Sequence, residues 1–374
     1  MSSAKLFTPF HFPDTDKTMP NRIALAPLTN LQSNTDGTLS DDEFKWLQRR
    51  AKEGFGLIST CAAYVAEDGK GWDGELGIAH DSHLPGLTRL AAGIHSYNSL
   101  ALVQIFHGGA RSPQECTGTQ PWSASAHTMP HPKKPVEVRA ATSDDINRAI
   151  ADFVSAAKRA EHAGFDGIEL HGAHGYLLHQ FLSTATNMRS DEWGGSLENR
   201  SRLLRTILQK IKAVTSKNFL VGVRLSPEDK YTFKGIDFDE SLQVAQWLAA
   251  DGAAFIHLSP WDAFKKPDKY ADGDKALITY FREALPHTPI IVAGIIRSRS
   301  DAEKAIELGA DIVAIGMAAI AHANWPTLVK DFTVQPAPQP YSVQHLKEQD
   351  LSPVFINYMK RWKGFVEETE TEKK

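Results

Sequence analysis

Residues 144–176 read DDINRAIADFVSAAKRAEHAGFDGIELHGAHGY, and this stretch decides the fold. Asp144 to Ala163 repeats apolar residues at the spacing of an amphipathic helix. Gly164 follows the last helical turn, where a left-handed glycine lets the chain reverse direction. Gly167 to Leu170 is then a short apolar strand that ends where polar residues begin. This order of elements is typical of α/β proteins with parallel strands.

The same pattern recurs along the whole chain and predicts eight strands. Glycine caps are expected at Gly252 and Gly309 as well. The predicted strands are Ile23 to Ala26, Gly56 to Thr60, Ala101 to Phe106, Gly167 to Leu170, Leu220 to Arg224, Phe255 to Leu258, Ile290 to Ala293 and Ile312 to Ile315. The clearest predicted helices are Asp144 to Ala163, Ser196 to Val214, Asp239 to Asp251 and Ser300 to Leu308.

Eight parallel strands with helical crossovers predict a single (β/α)8 TIM barrel over residues 1–374. The boundaries are an N-terminal extension over about residues 1–20 and a C-terminal tail over about residues 335–374. A doubly wound open sheet is the competing fold. Its dinucleotide-binding version requires GxGxxG after the first strand, whereas residues 26–29 read APLT. The sequence therefore favours the barrel.

Composition excludes several classes of function. The chain has 41 basic and 45 acidic residues and no basic block, which argues against a nucleic-acid partner. No apolar run approaches the ~18 residues of a membrane span, and the N-terminus lacks an export signal. Cys61 and Cys116 are too few for a disulfide scaffold. These features predict a cytoplasmic protein that does not associate with a membrane.

Two regions are predicted to be irregular. The stretch from Ser112 to Ala141 is rich in Pro, Ser and His and lacks periodicity, so we expect a long loop over the barrel mouth. With Trp261, this loop is expected to shape the substrate pocket. The C-terminal tail is Pro-rich and then charged, and its final EETETEKK is expected to fray.

The active site of a barrel lies at the carboxyl ends of its strands, where this sequence places a dense polar cluster. His171, His174 and Tyr176 follow the fourth predicted strand within six residues. Two neutral imidazoles can direct N–H donors at one carbonyl or nitro oxygen. A tyrosine, with an ordinary pKa near ~10, can donate a proton beside them. One alternative is a metal-dependent hydrolase in which His107, His171 and His174 bind zinc.

Residues 171–200, HGAHGYLLHQFLSTATNMRSDEWGGSLENR, resemble the signature segment of the Old Yellow Enzyme family of FMN-dependent NAD(P)H oxidoreductases. The resemblance extends over nearly the whole chain in the same order. The supporting segments are residues 21–29 (NRIALAPLT), 103–107 (VQIFH), 223–227 (VRLSP), 293–296 (AGII), 314–316 (AIG) and 324–326 (NWP).

The resemblance implies non-covalently bound FMN, NAD(P)H as reductant and an activated alkene as substrate. His171 and His174 would anchor the carbonyl or nitro oxygen, and Tyr176 would protonate the carbon that does not receive the hydride. Thr29 would contact the flavin O4, Gln104 the pyrimidine edge and Arg224 the N1 and O2 region. The full set of implied cofactor-binding residues is Pro27, Leu28, Thr29, Ala62, Gln104, Arg224, Gly294, Gly316 and Met317.

The sequence departs from the family pattern at two positions. Met317 stands where relatives carry an arginine for the FMN phosphate, and Ala110 stands where many carry the arginine of an HAGR motif. Arg297 or Arg299, at the start of the following helix, is expected to supply the missing phosphate charge. A barrel that has lost its flavin is the second alternative that these departures leave open.

Overall fold

The structure is a computed structural model that describes residues 5–130, 134–229 and 234–368. Eight strands pair in parallel, and the first strand pairs with both the second and the eighth, which closes the sheet. The predicted (β/α)8 barrel is thereby confirmed. Within the described residues, no helix combines the length and the apolar character that crossing a membrane requires.

The barrel strands lie where the sequence predicted them, and most differ by one or two residues at an end. The second strand is longer than predicted and has a bulge between Ser59 and Ala62. The strands are β1 (Ile23–Leu25), β2 (Leu57–Tyr64), β3 (Leu100–Phe106), β4 (Gly167–Gly172), β5 (Leu220–Leu225), β6 (Ile256–Leu258), β7 (Ile290–Val292) and β8 (Ile312–Ile315).

Helices surround the barrel and bury their apolar faces against it. Thr142 and Ser298 cap two of these helices through reciprocal capping boxes. Gly164, Gly252 and Gly309 have positive φ, as the glycine-cap prediction requires. The outer helices are α1 (Asp41–Lys52), α2 (Leu84–His95), α3 (Ser143–His162), α4 (Leu197–Val214), α5 (Phe238–Ala250), α6 (Leu277–Ala284), α7 (Arg299–Glu307) and α8 (Met317–Ala321).

The segment from Ser112 to Ala141, predicted to be one long loop, contains four short elements of secondary structure, so that prediction was wrong. It contains a short helix, Gln114–Thr117, and three strands, Trp122–Ser123, His127–Met129 and Val136–Ala140. These strands form a small sheet of their own. The local sequence gives no signal for this sheet because two of its strands have only two and three residues, too few to show an alternating pattern. Residues 131–133 lie outside the described residues.

The C-terminal segment is also more ordered than predicted. Helices Val343–Glu348 and Pro353–Met359 pack on the barrel, and the rings of Trp46 and Phe355 meet edge to face at 5.4 Å. Arg50 is fully buried and donates to the carbonyls of Ala319, Ile320 and Gln349, which joins α1, α8 and this segment. The expected fraying of residues 369–374 falls outside the described residues.

The amino ends of the strands are closed by an N-terminal hairpin, Phe10–His11 with Thr18–Met19. Phe10, Phe12 and Met19 pack with strand residues at this end of the barrel. The ring of Phe12 lies 6.1 Å from that of Phe255, which fills the barrel interior. Gly222 on β5 provides the space, because a Cβ there would overlap the ring of Phe255.

We expect Gly222→Ala to lower the free energy of unfolding by about 1 to 3 kcal/mol, because a packed interior cannot accept the added methyl group. Urea denaturation followed by circular dichroism measures the change. Phe255→Leu should also destabilise, by opening a cavity, and the double variant should lose less than the sum of the two single losses. Strictly additive losses would contradict this packing.

Candidate active site

Strand register places three polar side chains at one level of the barrel. His171 on β4 is paired with Arg224 on β5, and Arg224 is paired with His257 on β6. All three are buried. One layer towards the amino ends of the strands, Gln104 on β3 is paired with Glu169 on β4. The carboxyl half of the barrel therefore contains a polar floor rather than an apolar core.

Glu169 is the centre of this polar floor. Its carboxylate accepts hydrogen bonds from Gln104 Nε2 at 2.6 Å and from His257 Nδ1 at 2.7 Å. Burial alone would raise the pKa of Glu169, but His257, Arg224 and Gln104 outweigh it and the net shift is downward. Burial lowers the pKa of His257. We therefore describe the pair as a carboxylate that accepts from a neutral imidazole.

Two buried atoms on this floor have no hydrogen-bond partner among the described residues. They are Arg224 Nε and His257 Nε2. A buried donor or acceptor without a partner costs about 1 to 3 kcal/mol, so such atoms indicate a missing ligand. A flat heterocycle with acceptors and an N–H along one edge supplies the partners that these atoms require. The residues present therefore fit the pyrimidine edge of a flavin, with Pro27 and Ala62 as small buried neighbours.

The two predicted oxygen-anchoring histidines are brought together. The rings of His171 and His174 lie 4.9 Å apart, nearly perpendicular. Burial, together with the nearby Arg224, lowers the pKa of both well below the usual range, so both are neutral. The Nε2 atom of His174 lies 2.8 Å from the hydroxyl of Ser259, which also accepts from Arg224. Ser259 thus links the histidine pair to the buried arginine.

His174 has a strained backbone. Its φ is 60°, in the left-handed region that residues other than glycine rarely adopt. Two contacts hold this conformation: the amide of His174 donates to the hydroxyl of Ser226, and Arg111 donates to the carbonyl of His174 at 2.6 Å. Backbone strain of this kind collects at functional sites.

Tyr176 lies against His171, with their rings 4.9 Å apart. The ring of Phe106 also contacts the Tyr176 ring, with a centroid distance of 4.9 Å, and Trp72 packs on Phe106. The guanidinium of Arg111 lies 4.5 Å above the Tyr176 ring. The structure therefore places His171, His174 and Tyr176 in one group, as the sequence predicted.

His107 does not join this group. It is buried, its Nε2 lies 3.3 Å from a carboxylate oxygen of Asp68, and its ring packs on Trp122. Among the residues that the structure describes, no set of three or more His, Cys, Asp or Glu side chains is arranged to hold a metal ion. The zinc site that combines His107, His171 and His174 is therefore wrong in its geometry.

The residues predicted to bind the FMN phosphate lie where β7 and β8 end side by side. Gly294 has a φ of +144°, and a Cβ there would come within 2.6 Å of the carbonyl of Pro260. Ile295 follows with a φ of 51°, which is strained for a β-branched residue. Gly316 and Met317 are half-buried at the end of β8. The fold thus brings Gly294, Gly316 and Met317 to one rim.

The two candidate phosphate arginines differ. Arg299 is buried, donates to Glu303 at 2.7 Å, and lies over the ring of Phe332. It is used structurally, so the expectation that Arg299 replaces the family arginine was wrong. Arg297 is exposed and forms no ion pair within the described part of the chain. Arg297 is the arginine that stays available for the phosphate.

Thr29 and Trp261 complete the predicted set. Thr29 lies half-buried after β1, with its side chain near the hydroxyl of Tyr358 of the C-terminal helix Pro353–Met359. Leu28, beside it, approaches Gly316 from β1. Trp261 follows β6 at the rim and is 58% exposed. These positions agree with a cofactor between the strand ends and a substrate above it.

Several residues of the site were not predicted. His257 stands inside a three-residue strand, and its polarity between Ile256 and Leu258 was the one signal that could have identified it. Arg111 directly follows Ala110, where the sequence departs from the HAGR motif, but no role was predicted for it. Tyr358 lies in the segment predicted to be a tail, so local sequence gave no signal for it.

Comparison with known proteins gives the family. Residues 5–333 match the model of the NADH:flavin oxidoreductase / NADH oxidase family. A probable NADH-dependent flavin oxidoreductase, YqiG, of Bacillus subtilis (strain 168) is 37% identical over 331 residues, which cover 87% of this chain and 88% of that protein. The NADH:fumarate oxidoreductase of Klebsiella pneumoniae (strain 342) is 32% identical, and the match covers 87% of this chain but 36% of that longer protein.

Solved structures agree. An Old Yellow Enzyme homologue from Zymomonas mobilis superimposes with a TM-score of 0.80 at 28% identity, over 91% of this chain and 96% of that one. Morphinone reductase in complex with tetrahydroNAD superimposes with a TM-score of 0.76 at 26% identity, over 91% and 93% of the two chains. The resemblance to the Old Yellow Enzyme family is confirmed. The chain is an oxidoreductase with FMN as cofactor and NAD(P)H as reductant, and it belongs to the NADH:flavin oxidoreductase / NADH oxidase family.

Proposed function

We propose that the protein is an ene-reductase that reduces the activated C=C bond of an α,β-unsaturated carbonyl or nitro compound. One observation carries this proposal: His171 contacts both His174 and Tyr176 through ring centroids 4.9 Å apart. Two neutral N–H donors and one phenol at the same rim supply what the reaction needs, an oxygen anchor and a proton donor.

The histidine pair anchors the substrate oxygen. In His171, the amide of Ala173 donates to Nδ1 at 3.3 Å, which leaves Nε2 as the N–H donor of the neutral ring. His174 is held towards the same space by Ser226 and Arg111. A hydrogen bond to the carbonyl or nitro oxygen strengthens as negative charge develops there during reduction.

Tyr176 supplies the proton. Its ring is fixed between Phe106 and the guanidinium of Arg111, so its hydroxyl has a defined direction. The positive charge of Arg111 favours transfer of the proton, because it stabilises the phenolate that remains. The proton goes to the α carbon of the alkene.

Arg224, Gln104 and Thr29 would hold the cofactor, with Pro27, Ala62 and Leu28 against its ring system. The rim formed by Gly294, Gly316 and Met317, with Arg297, would take the phosphate. Bound FMN would supply the hydride chemistry, from NAD(P)H to the β carbon of the alkene. The fixed charge of Arg224 would stabilise negative charge on the reduced cofactor. A small-molecule alkene and the nicotinamide would use the same open rim in turn.

The first test is an absorption spectrum with anaerobic titration. We expect purified protein loaded with FMN to be yellow, to lose its visible absorbance with NADPH or NADH, and to regain it with cyclohexenone. Free FMN at the same concentration serves as the control. Protein that takes up no FMN, or that is reduced but is not reoxidised by the enone, would contradict the proposal.

The role of Tyr176 predicts a split between the two half-reactions. Tyr176→Phe should slow reoxidation by cyclohexenone by roughly 100-fold or more, because the general acid is lost. Reduction by NADPH should stay close to that of the unchanged protein, since it needs no proton from this residue. Stopped-flow absorbance measures both. Tyr97→Phe, on the surface, is the matched control. Equal losses in both half-reactions would exclude this role.

The neutral histidine pair predicts a flat pH profile. The pKa of His171 and of His174 is lowered from the ordinary histidine value near ~6.5, so both rings are already neutral at pH values below that figure. The rate of reoxidation by cyclohexenone, which has no ionisable group, should therefore not change between pH 6 and 8. An inflection near pH 6.5 that disappears in His171→Asn would show that the anchor works in its protonated form.

A further inference from the structure

Two arginines and a tyrosine lie around the substrate space, and the proposed reaction gives none of them a group of the substrate to bind. Arg111 lies 4.5 Å above the ring of Tyr176. Arg361 lies 5.0 Å above the ring of Tyr358, whose hydroxyl is near Thr29 in the segment that follows β1. The C-terminal segment thereby brings a second cation to the rim that carries the proton donor.

These groups share one electrostatic environment. Burial raises the pKa of Tyr358, and the side chain of Thr29 and the charges of Arg361 and Arg111 oppose that shift. Arg111 is thus close enough to act on Tyr358 as well as on the histidine pair. Both arginines are exposed, so an incoming molecule can reach them.

Their charges are not neutralised by the part of the chain that the structure describes. Neither Arg111 nor Arg361 takes part in any of its ion pairs, whereas several other arginines do, namely Arg139, Arg148, Arg189, Arg200, Arg205 and Arg299. The carboxylates around the barrel mouth already have partners: Glu169 is bonded to His257, Asp68 to His107 and Asp229 to His179. The charges of Arg111 and Arg361 are therefore not used by these three carboxylates.

We propose that Arg111, Arg361 and the hydroxyl of Tyr358 form a subsite for a carboxylate, and that the substrate is an activated alkene bearing this anionic group. The inference rests on the proposed ene-reductase function and adds the substrate class. Arg111 stacks on the ring that supplies the proton, so an anion bound there belongs to the molecule whose C=C bond is reduced. Arginine presents N–H donors in a geometry that matches a carboxylate.

A purely structural role of Arg111 would give a different result. Arg111 donates to the carbonyl of His174 and so supports its strained backbone. If this were its only role, removing Arg111 would affect charged and neutral substrates equally. The informative quantity is therefore the preference for an anion over a neutral compound of the same shape, and not the activity itself.

The experiment compares two matched pairs with FMN-loaded protein. Calorimetric titration with 4-oxopentanoate and with its methyl ester measures binding without reaction. Steady-state kinetics with (E)-4-oxopent-2-enoate and its methyl ester measures kcat/KM. We expect Arg111→Gln and Arg361→Gln each to reduce the anion-to-ester ratio, with Arg111→Gln reducing it about tenfold, which corresponds to about 1.4 kcal/mol. Added salt should weaken the preference in the unchanged protein.

Two further variants separate charge from structure. Arg111→Lys keeps the positive charge and should retain most of the anion preference. Arg89→Gln removes a cation that stacks on Phe44 at 4.0 Å, far from the site, and should leave the ratio unchanged. If Arg111→Gln and Arg361→Gln leave the anion-to-ester ratio unchanged, the proposed subsite is overturned, even when both enones are reduced.

The two proposals can fail separately. If 4-oxopentanoate binds with a preference that depends on Arg111 but neither enone reoxidises the reduced protein, the ene-reductase proposal fails and the carboxylate subsite stands. If both enones are reduced and Arg111→Gln and Arg361→Gln leave the anion-to-ester ratio unchanged, the ene-reductase proposal stands and the carboxylate subsite fails. A protein that shows neither preference nor reoxidation overturns both.

Discussion

The buried carboxylate of Glu169 is the constraint on which the site depends. A charge in the interior of a barrel is costly unless it is fully hydrogen-bonded, and Glu169 meets this demand through Gln104 and His257. Those bonds fix the direction of both partners. Its charge also compensates the buried guanidinium of Arg224. One side chain thus orients the polar residues of three strands, and these residues form the polar floor of the candidate site.

Above this floor the chain stores strain where the chemistry is proposed. A left-handed conformation at His174 is unfavourable for a residue with a side chain, and it is maintained because Ser226 and Arg111 bond its amide and its carbonyl. The turn that results places Tyr176 beside His171 instead of continuing β4. The short helix Leu177–Leu182 then begins immediately, and Gln180 ties it back to the carbonyls of Gly108 and Gly175. Position and direction of the phenol are therefore set by the backbone.

The sequence predicted the barrel because the signals for its strands and helices are local. They are apolar runs of the right length, glycine caps, and N-capping residues such as Thr142. It predicted His171, His174 and Tyr176 because they follow one strand closely. It did not predict His257 or Tyr358 as parts of the site, since their relevance arises from register and from long-range packing. It misjudged Arg299, because Phe332, which covers its guanidinium, lies 33 residues further along the chain, and local patterns give no signal for such a contact.

The C-terminal segment shows why such contacts matter for specificity. A barrel with its rim loops alone would present the same histidine pair and phenol to any activated alkene. Here Arg50 anchors the segment from inside the fold, and the helix Pro353–Met359 reaches Thr29 through Tyr358. In the proposed subsite, Tyr358 and Arg361 are carried by an element separate from the groups proposed to react with the double bond, whereas Arg111 lies directly on Tyr176. Under that proposal, substitution at Tyr358 or Arg361 would alter which alkene binds without disturbing Glu169 and the polar floor.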